Sequence, residues 1–520
     1  MLVKSIILVG LLLASSEAYR ILVVYPMASK SHSLLGHGVV NRLLEAGHEV
    51  VHITAFPSAK PVPRLTEISV PNIFMTLAKE DPESFEALSL KGILATNGNL
   101  GDSTFFFKLV FNFHKLLFEE QNILKFLGNP KEKFDAVIIE WFFSDFVAGI
   151  APLFECPLIW SGSTEAHWQV LKLVDGVTNP AYNADLFSLS TPPLSFWERV
   201  VELWTIVKRT AILFVTPKEK TAYESIFPKI ADARGVQMPP YEEAVYNASL
   251  LLLNSHPSYG TPFNLPQNAK YVGGYHIDNN VKPLPEDLQN LMDNAKHGVI
   301  YFSMGSNMKS IDMPTQMRDS LLQMFAKLKQ TIIWKFESEL DNVPSNIHLV
   351  KWAPQQSIFS HPKLKLFITH GGQLSTTEAI HYGVPVIGIP VFGDQYVNME
   401  AVVRKGFGIK IKLADDMAPH INVAIQEMLT NPSYKQRATE ISQIYHDRPL
   451  PAGKELVHWV EHVVKTHGAP HLRSPALLLP WYQKMYLDLA ISIAIVILLI
   501  RSCLPKRSKP KTSKKKEKKN

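Results

Sequence analysis

Three short polar clusters in the second half of the chain have the residue types to hold a phosphorylated ligand: Ser303-Met304-Gly305-Ser306, His370-Gly371-Gly372 and Asp394-Gln395. Each lies at or a few residues beyond an apolar run of strand length, the edge at which open α/β sheets bind ligands. Adjacent glycines at 371 and 372 let the backbone approach a bulky anion. A helix opening near Gln373–Ser375 would aim its terminal N–H groups at that anion. His370 can donate a hydrogen bond to phosphate, and Glu378 falls within the same helix. Taken singly these signals are weak, since a Gly-Gly turn often serves only the backbone. The sequence has no Gly-Lys-Ser/Thr phosphate loop and no Asp-x-Asp pair, so P-loop chemistry and metal-bridged donors lose ground.

Strand-sized apolar runs alternate with amphipathic ones to position these clusters. Ile21–Tyr25 reads as a strand, Ser33–Ala46 as a helix closed by Gly47, and Val50–Ala55 as the next strand, a βαβ unit. Ala136–Ile139 and Pro157–Trp160 add strands to this half. Beyond a Pro-rich stretch near Pro283–Pro285, strands are expected at Val299–Ser303, Thr331–Lys335, His348–Val350, Leu364–Thr369, Pro385–Ile389 and Gly408–Ile411, with helices between. Two such halves predict an α/β chain of two Rossmann-like domains facing a cleft. Gly453–Lys465 reads as a helix after the second. The aromatic-rich segments Phe105–Phe118 and Phe196–Val215 read either as core helices or as an apolar acceptor pocket or membrane-resting surface.

The chain has 520 residues, of which 46% are hydrophobic and 19% charged, enough for two or three cored domains and too little charge for disorder. Its net charge of +6 is local: ten Lys or Arg and a single acid, Glu517, fall within residues 501–520. The remainder is slightly acidic, which argues against nucleic acid as a partner. Residues 1–18 have the basic start, apolar run and small residues of a signal peptide. Near the other end, Leu489–Ile500 is apolar apart from Ser492, with Trp481, Tyr482 and Tyr486 before it and Arg501 after it. That pattern predicts a transmembrane helix over 481–504, with a cytosolic polybasic tail at 505–520. Cys156 and Cys503 would then lie on opposite sides of a membrane and could not pair. Asn247-Ala248-Ser249 is a glycosylation sequon.

The run KWAPQQSIFSHPKLKLFITHGGQLSTTEAIHYGVPVIGIPVFGDQYVNM closely resembles the signature of the UDP-glycosyltransferase family, the glucosyl- and glucuronosyltransferases. Similarity extends to the histidine loop near the N-terminus, to HDRP at 446–449, to the anchor and to the lysine tail, which is like a dilysine retrieval signal; insect members are nearest. The resemblance implies the GT-B fold, with an acceptor domain over 19–275, a UDP-sugar domain over 286–450, a returning segment over 451–480 and the anchor beyond. It also implies lumenal catalytic domains on a single-pass endoplasmic reticulum protein.

By that resemblance Trp352 would stack on uracil, where a lone Trp could equally be core packing. Ala353 and Gln355 would support base and ribose, and Glu378 the ribose hydroxyls. His370, Gly371, Gly372, Ser375 and the loop of Ser303, Gly305 and Ser306 would hold the diphosphate. Asp394 and Gln395 would bind hydroxyls of the transferred sugar. Many relatives have Asn where this chain has Leu374, which leaves Ser375 as the better phosphate contact.

His32 matches the family's catalytic histidine, a general base for the acceptor hydroxyl. His37 reads as a packing or surface residue. A carboxylate would orient the His32 imidazole. Relatives usually have Asp after the FDAVII strand; here Glu140 stands there and Asp145 follows, and both remain candidates. The implied reaction is an inverting, metal-independent transfer from a UDP-sugar to a small lipophilic alcohol or phenol. Relatives that use glucuronate tend to have Arg where this chain has Leu253, which favours UDP-glucose as co-substrate. UDP-glucuronate as donor, a non-catalytic lipophilic-ligand carrier and a homo-oligomeric state stay open. A serine hydrolase is disfavoured by the lack of a Gly-x-Ser-x-Gly elbow.

Overall fold

The computed structural model describes residues 18–504, apart from 72, 96–103, 189, 191 and 279. The expected signal peptide and polybasic tail therefore fall outside the described residues, save for Ala18. Strands β1 (Arg20–Tyr25), β2 (Glu49–Thr54), β3 (Leu65–Ser69), β4 (Ala136–Trp141), β5 (Leu158–Gly162), β6 (Leu250–Leu253) and β7 (Ala269–Tyr271) form one sheet in the order β3-β2-β1-β4-β5-β6-β7. A second sheet, in the order β10-β9-β8-β11-β12-β13, contains β8 (Val299–Ser303), β9 (Thr331–Lys335), β10 (Ile347–Val350), β11 (Leu364–Thr369), β12 (Val386–Gly388) and β13 (Gly408–Lys410). Every pairing in both sheets is parallel.

The strands are apolar without interruption because helices cover both faces of a parallel sheet. In the first sheet Leu22, Val24, Val137, Ile139, Leu251 and Leu253 face one core, while Ile21, Val23, Tyr25, Ile138, Leu250 and Leu252 face the other. Three strands, β3, β6 and β7, are absent from the expectations above. The four leucines of β6 are all buried, and so short an apolar run has no period that separates strand from helix.

Nine helices matter here: α1 (Lys30–Glu45), α2 (Thr104–Leu117), α3 (Phe196–Val215), α4 (Lys218–Arg234), α5 (Gln355–Ser360), α6 (Gln373–His381), α7 (Gln395–Arg404), α8 (Ala452–Lys465) and α9 (Leu487–Cys503). α8 returns from the second half to the first, burying Ala452, Leu456, Val460 and Val463 beside Val39 and Leu43 of α1. Arg448 fastens this return by donating to the carbonyls of Tyr271 and Gly273 and pairing with Glu455 at 2.8 Å. α2 contributes Phe113 and Leu117 to the core. α3 is no core helix: its Trp197 and Trp204 are 73% and 63% exposed.

Contacts divide the chain into two compact units, residues 1–473 and 474–520. The expected membrane span requires correction. Among the described residues no helix is long and apolar enough to cross a membrane. The segment 481–504 is broken: Trp481–Lys484 forms one short helix, Tyr486 adopts a left-handed conformation (φ 55°), and α9 has 17 residues. At 1.5 Å per residue α9 is about 25 Å long, short of a hydrocarbon core of about 30 Å.

Candidate active site

Each sheet has one place where the chain reverses its direction of travel across the sheet, between β1 and β4 in the first and between β8 and β11 in the second. The helices that follow such neighbours go to opposite faces, opening a crevice at the carboxyl ends of the strands. The polar residues expected to do chemistry sit at these two crevices.

In the first, the chain leaves β1 at Tyr25 and enters α1 at Lys30, so His32 falls in the opening turn of that helix. Glu140 is the penultimate residue of β4, the neighbour of β1. His32 Nδ1 and Glu140 Oε1 are 2.5 Å apart. Glu140 is 1% exposed, and its Oε2 has no hydrogen-bond partner. A carboxylate only accepts, so this contact places the proton on Nδ1 and directs Nε2 as the ring's available lone pair. Burial pulls the His32 pKa down, but the charge and hydrogen bond of Glu140 and the carboxylate of Asp394 outweigh it, and the pKa stands above the usual histidine value.

Asp145 is placed differently. Its Oδ1 accepts from the Trp141 indole N–H at 2.6 Å, and its backbone N–H donates to Glu219 of α4 at 2.9 Å. The His32 hydrogen bond belongs to Glu140, because strand pairing brings β4 beside β1 while Asp145 lies beyond the strand end, turned into the α4 side.

In the second crevice, Gly305 (φ 87°) and Gly371 (φ 82°) take left-handed conformations that favour glycine. A Cβ on Gly305 or Gly372 would stand 2.6 Å or less from the His370 ring, so the two glycines make the room that imidazole occupies. Burial, with the Lys335 ammonium adding to it, pushes His370 down to about 4, leaving a neutral ring that donates through one nitrogen. Lys335 closes β9 with its Nζ 2.9 Å from the Gly305 carbonyl and 2.7 Å from Glu337. The expectations above omit Lys335 as a site residue, although its place at the carboxyl end of a strand beside β8 was the available signal.

Trp352 is 58% exposed, so it is no core residue. The ammonium groups of Lys30 and Lys335 lie 4.4 and 5.6 Å from its ring centre. Ala353, the next residue, is buried, and Gln355 opens α5. Gln355 Nε2 donates to Glu378 Oε2 at 2.5 Å and to Ser375 Oγ at 3.1 Å, and Gln356 donates to Glu378 Oε1 at 2.9 Å. Burial raises Glu378 to about 7 against the pull of these two amides. Leu374, beside the Gly-Gly turn, packs against the core of the first sheet instead of facing a ligand. Its neighbour Gln373 donates to the Asn254 carbonyl at 3.0 Å, so the opening turn of α6 ties the two halves together.

At the head of α7, Asp394 accepts from Asn398 Nδ2 at 2.8 Å, and its charge reaches His32. Gln395 Oε1 accepts from the backbone N–H groups of Val391 and Phe392, which leaves its amide N–H groups to meet a ligand. Ser29 Oγ, ahead of α1, bonds Asn307 at 2.9 Å, a direct contact between the two crevices. Beside His32 stands an aromatic wall: Phe142 meets the imidazole edge-on at 4.5 Å, and Phe106 meets both Phe142 and Phe143 edge-on. Leu253 is fully buried in the core below. Asn247 of the sequon is exposed, with Arg473 donating to its side chain at 2.5 Å.

The family model described as UDP-glucoronosyl and UDP-glucosyl transferase matches residues 20–518. UDP-glucosyltransferase 2 of Dactylopius coccus is 32% identical over 501 residues, 95% of this chain and 93% of that protein. UDP-glucuronosyltransferase 1A8 of Rattus norvegicus is 29% identical over 521 residues, again 95% and 93%. Among solved structures, spinosyn forosaminyltransferase SpnP matches with a TM-score of 0.55 at 17% identity, covering 86% of this chain and 99% of that one. LpCGTa in complex with UDP matches with a TM-score of 0.53 at 14% identity, covering 86% and 99%. These likenesses give the fold: GT-B, with two Rossmann-like halves built on parallel sheets.

Proposed function

The chain belongs to the UDP-glucuronosyl and UDP-glucosyl transferase family and transfers a sugar from a UDP-sugar; from that premise we propose that it moves glucose to the hydroxyl of a small lipophilic alcohol or phenol, with His32 as general base. The observation that carries this reading is the 2.5 Å contact of His32 with Glu140, set where the Asp394 carboxylate still acts on the imidazole. His32 Nε2 takes the acceptor proton as the oxygen attacks the anomeric carbon, and the UDP–sugar bond breaks on the opposite face. An α-linked donor gives a β-glycoside. Glu140 holds the tautomer and meets the charge of the imidazolium as it forms.

On the donor side Trp352 stacks on uracil, and Glu378 and Gln355 receive the ribose. His370, Ser375 and the glycine-opened loops at 303–306 and 371–372 hold the diphosphate, with Lys335 adding positive charge nearby. Asp394 and the Gln395 amide bind the sugar hydroxyls. The site residues named give leaving-group stabilisation without a metal ion. The aromatic wall beside His32 suits an apolar acceptor. Glucose is favoured because Leu253 offers a sugar carboxylate neither charge nor an exposed side chain, and because a similar insect protein is a UDP-glucosyltransferase.

The test is release of UDP from UDP-glucose across a panel of phenols and alcohols, with UDP-glucuronate in competition. Acceptor-dependent release is expected, and UDP-glucose is expected to be used faster. Preference for UDP-glucuronate would overturn the sugar assignment, and tight acceptor binding without any release would make the protein a carrier.

Stacking gives a second expectation. A base on an aromatic ring is worth about 1–3 kcal/mol by alanine substitution, roughly a ten- to hundredfold change in affinity. Trp352→Ala should weaken UDP binding by that factor in calorimetry, with a smaller change in kcat at saturating donor. An unaltered UDP Kd would remove Trp352 from the donor site.

A further inference from the structure

One group of chemically capable residues has no part in the transfer described above. His37 stands on α1 one and a half turns beyond His32, and its Nε2 donates to the Phe56 carbonyl at 2.9 Å, leaving the ring's lone pair on Nδ1. It meets His52 edge-on, ring centres 5.2 Å apart. His52 in β2 is the register partner of Glu67 in β3, so their side chains emerge together on one face of the sheet. His52 is fully buried and neither of its ring nitrogens has a hydrogen-bond partner. Its Nδ1 faces Glu67 Oε1 at 3.8 Å, while its Nε2 lies against Gly36 of α1. Glu67 is itself held, accepting from the Ser58 N–H at 2.8 Å and the Ser58 hydroxyl at 3.2 Å.

One ligand atom from each of His37, His52 and Glu67 lies within 4.8 Å of the other two, and among the described residues no other trio of His, Cys, Asp or Glu comes so close. Two imidazoles and a carboxylate are a donor set for borderline transition metals; the hard cations magnesium and calcium prefer oxygen alone. Bonds of about 2.0–2.1 Å to a tetrahedral centre put ligand atoms about 3.4 Å apart, so these side chains need draw in by only about an ångström. The two anchored ones, His37 on the Phe56 carbonyl and Glu67 on Ser58, have the outer contacts that orient metal ligands.

We propose that His37, His52 and Glu67 bind one divalent transition-metal ion of the zinc type, with the fourth position taken by water. The ion gives one of the two unpartnered His52 nitrogens a partner and joins the edge strand β3 and its neighbour β2 to α1, the helix that carries His32. It takes no part in the sugar transfer.

The test uses the full chain, metal-stripped and without an affinity tag. It is made in a His462→Ala background, because the exposed His462 and His471 nitrogens, 3.0 Å apart, can hold a metal of their own. Titration with cobalt(II) followed by visible absorption should saturate at one equivalent and be displaced by zinc. Stoichiometric zinc should raise Tm by about 2–4 °C. Glu67→Gln and His37→Gln, each measured separately and each checked by its metal-free Tm, should lose both the spectrum and the shift. Absence of a one-equivalent cobalt spectrum, or its persistence in both variants, would overturn the site. Both readouts stand apart from transferase activity, so they succeed or fail independently of the donor and acceptor assignments.

Discussion

His32→Ala is expected to lower kcat by roughly 10²- to 10⁴-fold, the usual share of a general base, while UDP binds with nearly its original affinity. The two halves of that result come from different parts of the molecule. His32 opens α1 in the first Rossmann-like half, with Nδ1 engaged by Glu140 and Nε2 left to take a proton. The groups proposed to receive the nucleotide, Trp352, Gln355 and Glu378, belong to the second half, where Gln355 and Gln356 bond Glu378 without His32. Alanine therefore removes the base and leaves the nucleotide pocket standing. Acceptor-dependent UDP release measures the first effect and calorimetry with UDP the second. Turnover close to that of the unaltered protein would sink the assignment of His32.

Glu140→Gln carries the second largest expectation, and its pH dependence identifies the mechanism. The His32 pKa is raised because Glu140, assisted by Asp394, outweighs the effect of burial. A base must be unprotonated, so kcat/KM should fall as pH drops through that raised value. With the carboxylate replaced by an amide, burial acts against Asp394 alone, and the acidic limb should move to lower pH. The rate on the plateau should also fall, by about 10²- to 10⁴-fold, because an amide neither fixes the tautomer nor meets the imidazolium charge. Asp145→Asn is the control: Asp145 bonds Trp141 instead of His32, so its limb should stay in place. A limb that moved with Asp145 and not with Glu140 would reverse the pairing.

Much of this was legible in the residues. The six strands expected in the second half are all present, and β8, β9 and β11 match to the residue, because those three are almost wholly buried apolar runs. The places of the polar clusters proposed for the donor were legible for the same reason: they follow strand ends, and glycines at 305, 371 and 372 mark where another group comes close to the backbone. β6 was not, since four consecutive leucines carry no period. The expected span over 481–504 failed on a feature that composition does not encode, a left-handed Tyr486 that divides the segment and leaves a helix of 17 residues.

What the sequence determined by itself was the kind of chemistry, sugar transfer from a UDP-sugar, and the two parallel-sheet halves; it also named the residues proposed for the donor and the histidine proposed as base. Those depend on local pattern and on short, ordered motifs. Only the tertiary structure decided between Glu140 and Asp145, five residues apart in the chain, because strand order sets β4 beside β1 and turns Asp145 elsewhere. It likewise gave Leu374 a packing role and brought His37, His52 and Glu67 together from three elements. Such contacts arise from how sheets and helices stack, over separations at which neither spacing nor periodicity leaves a trace.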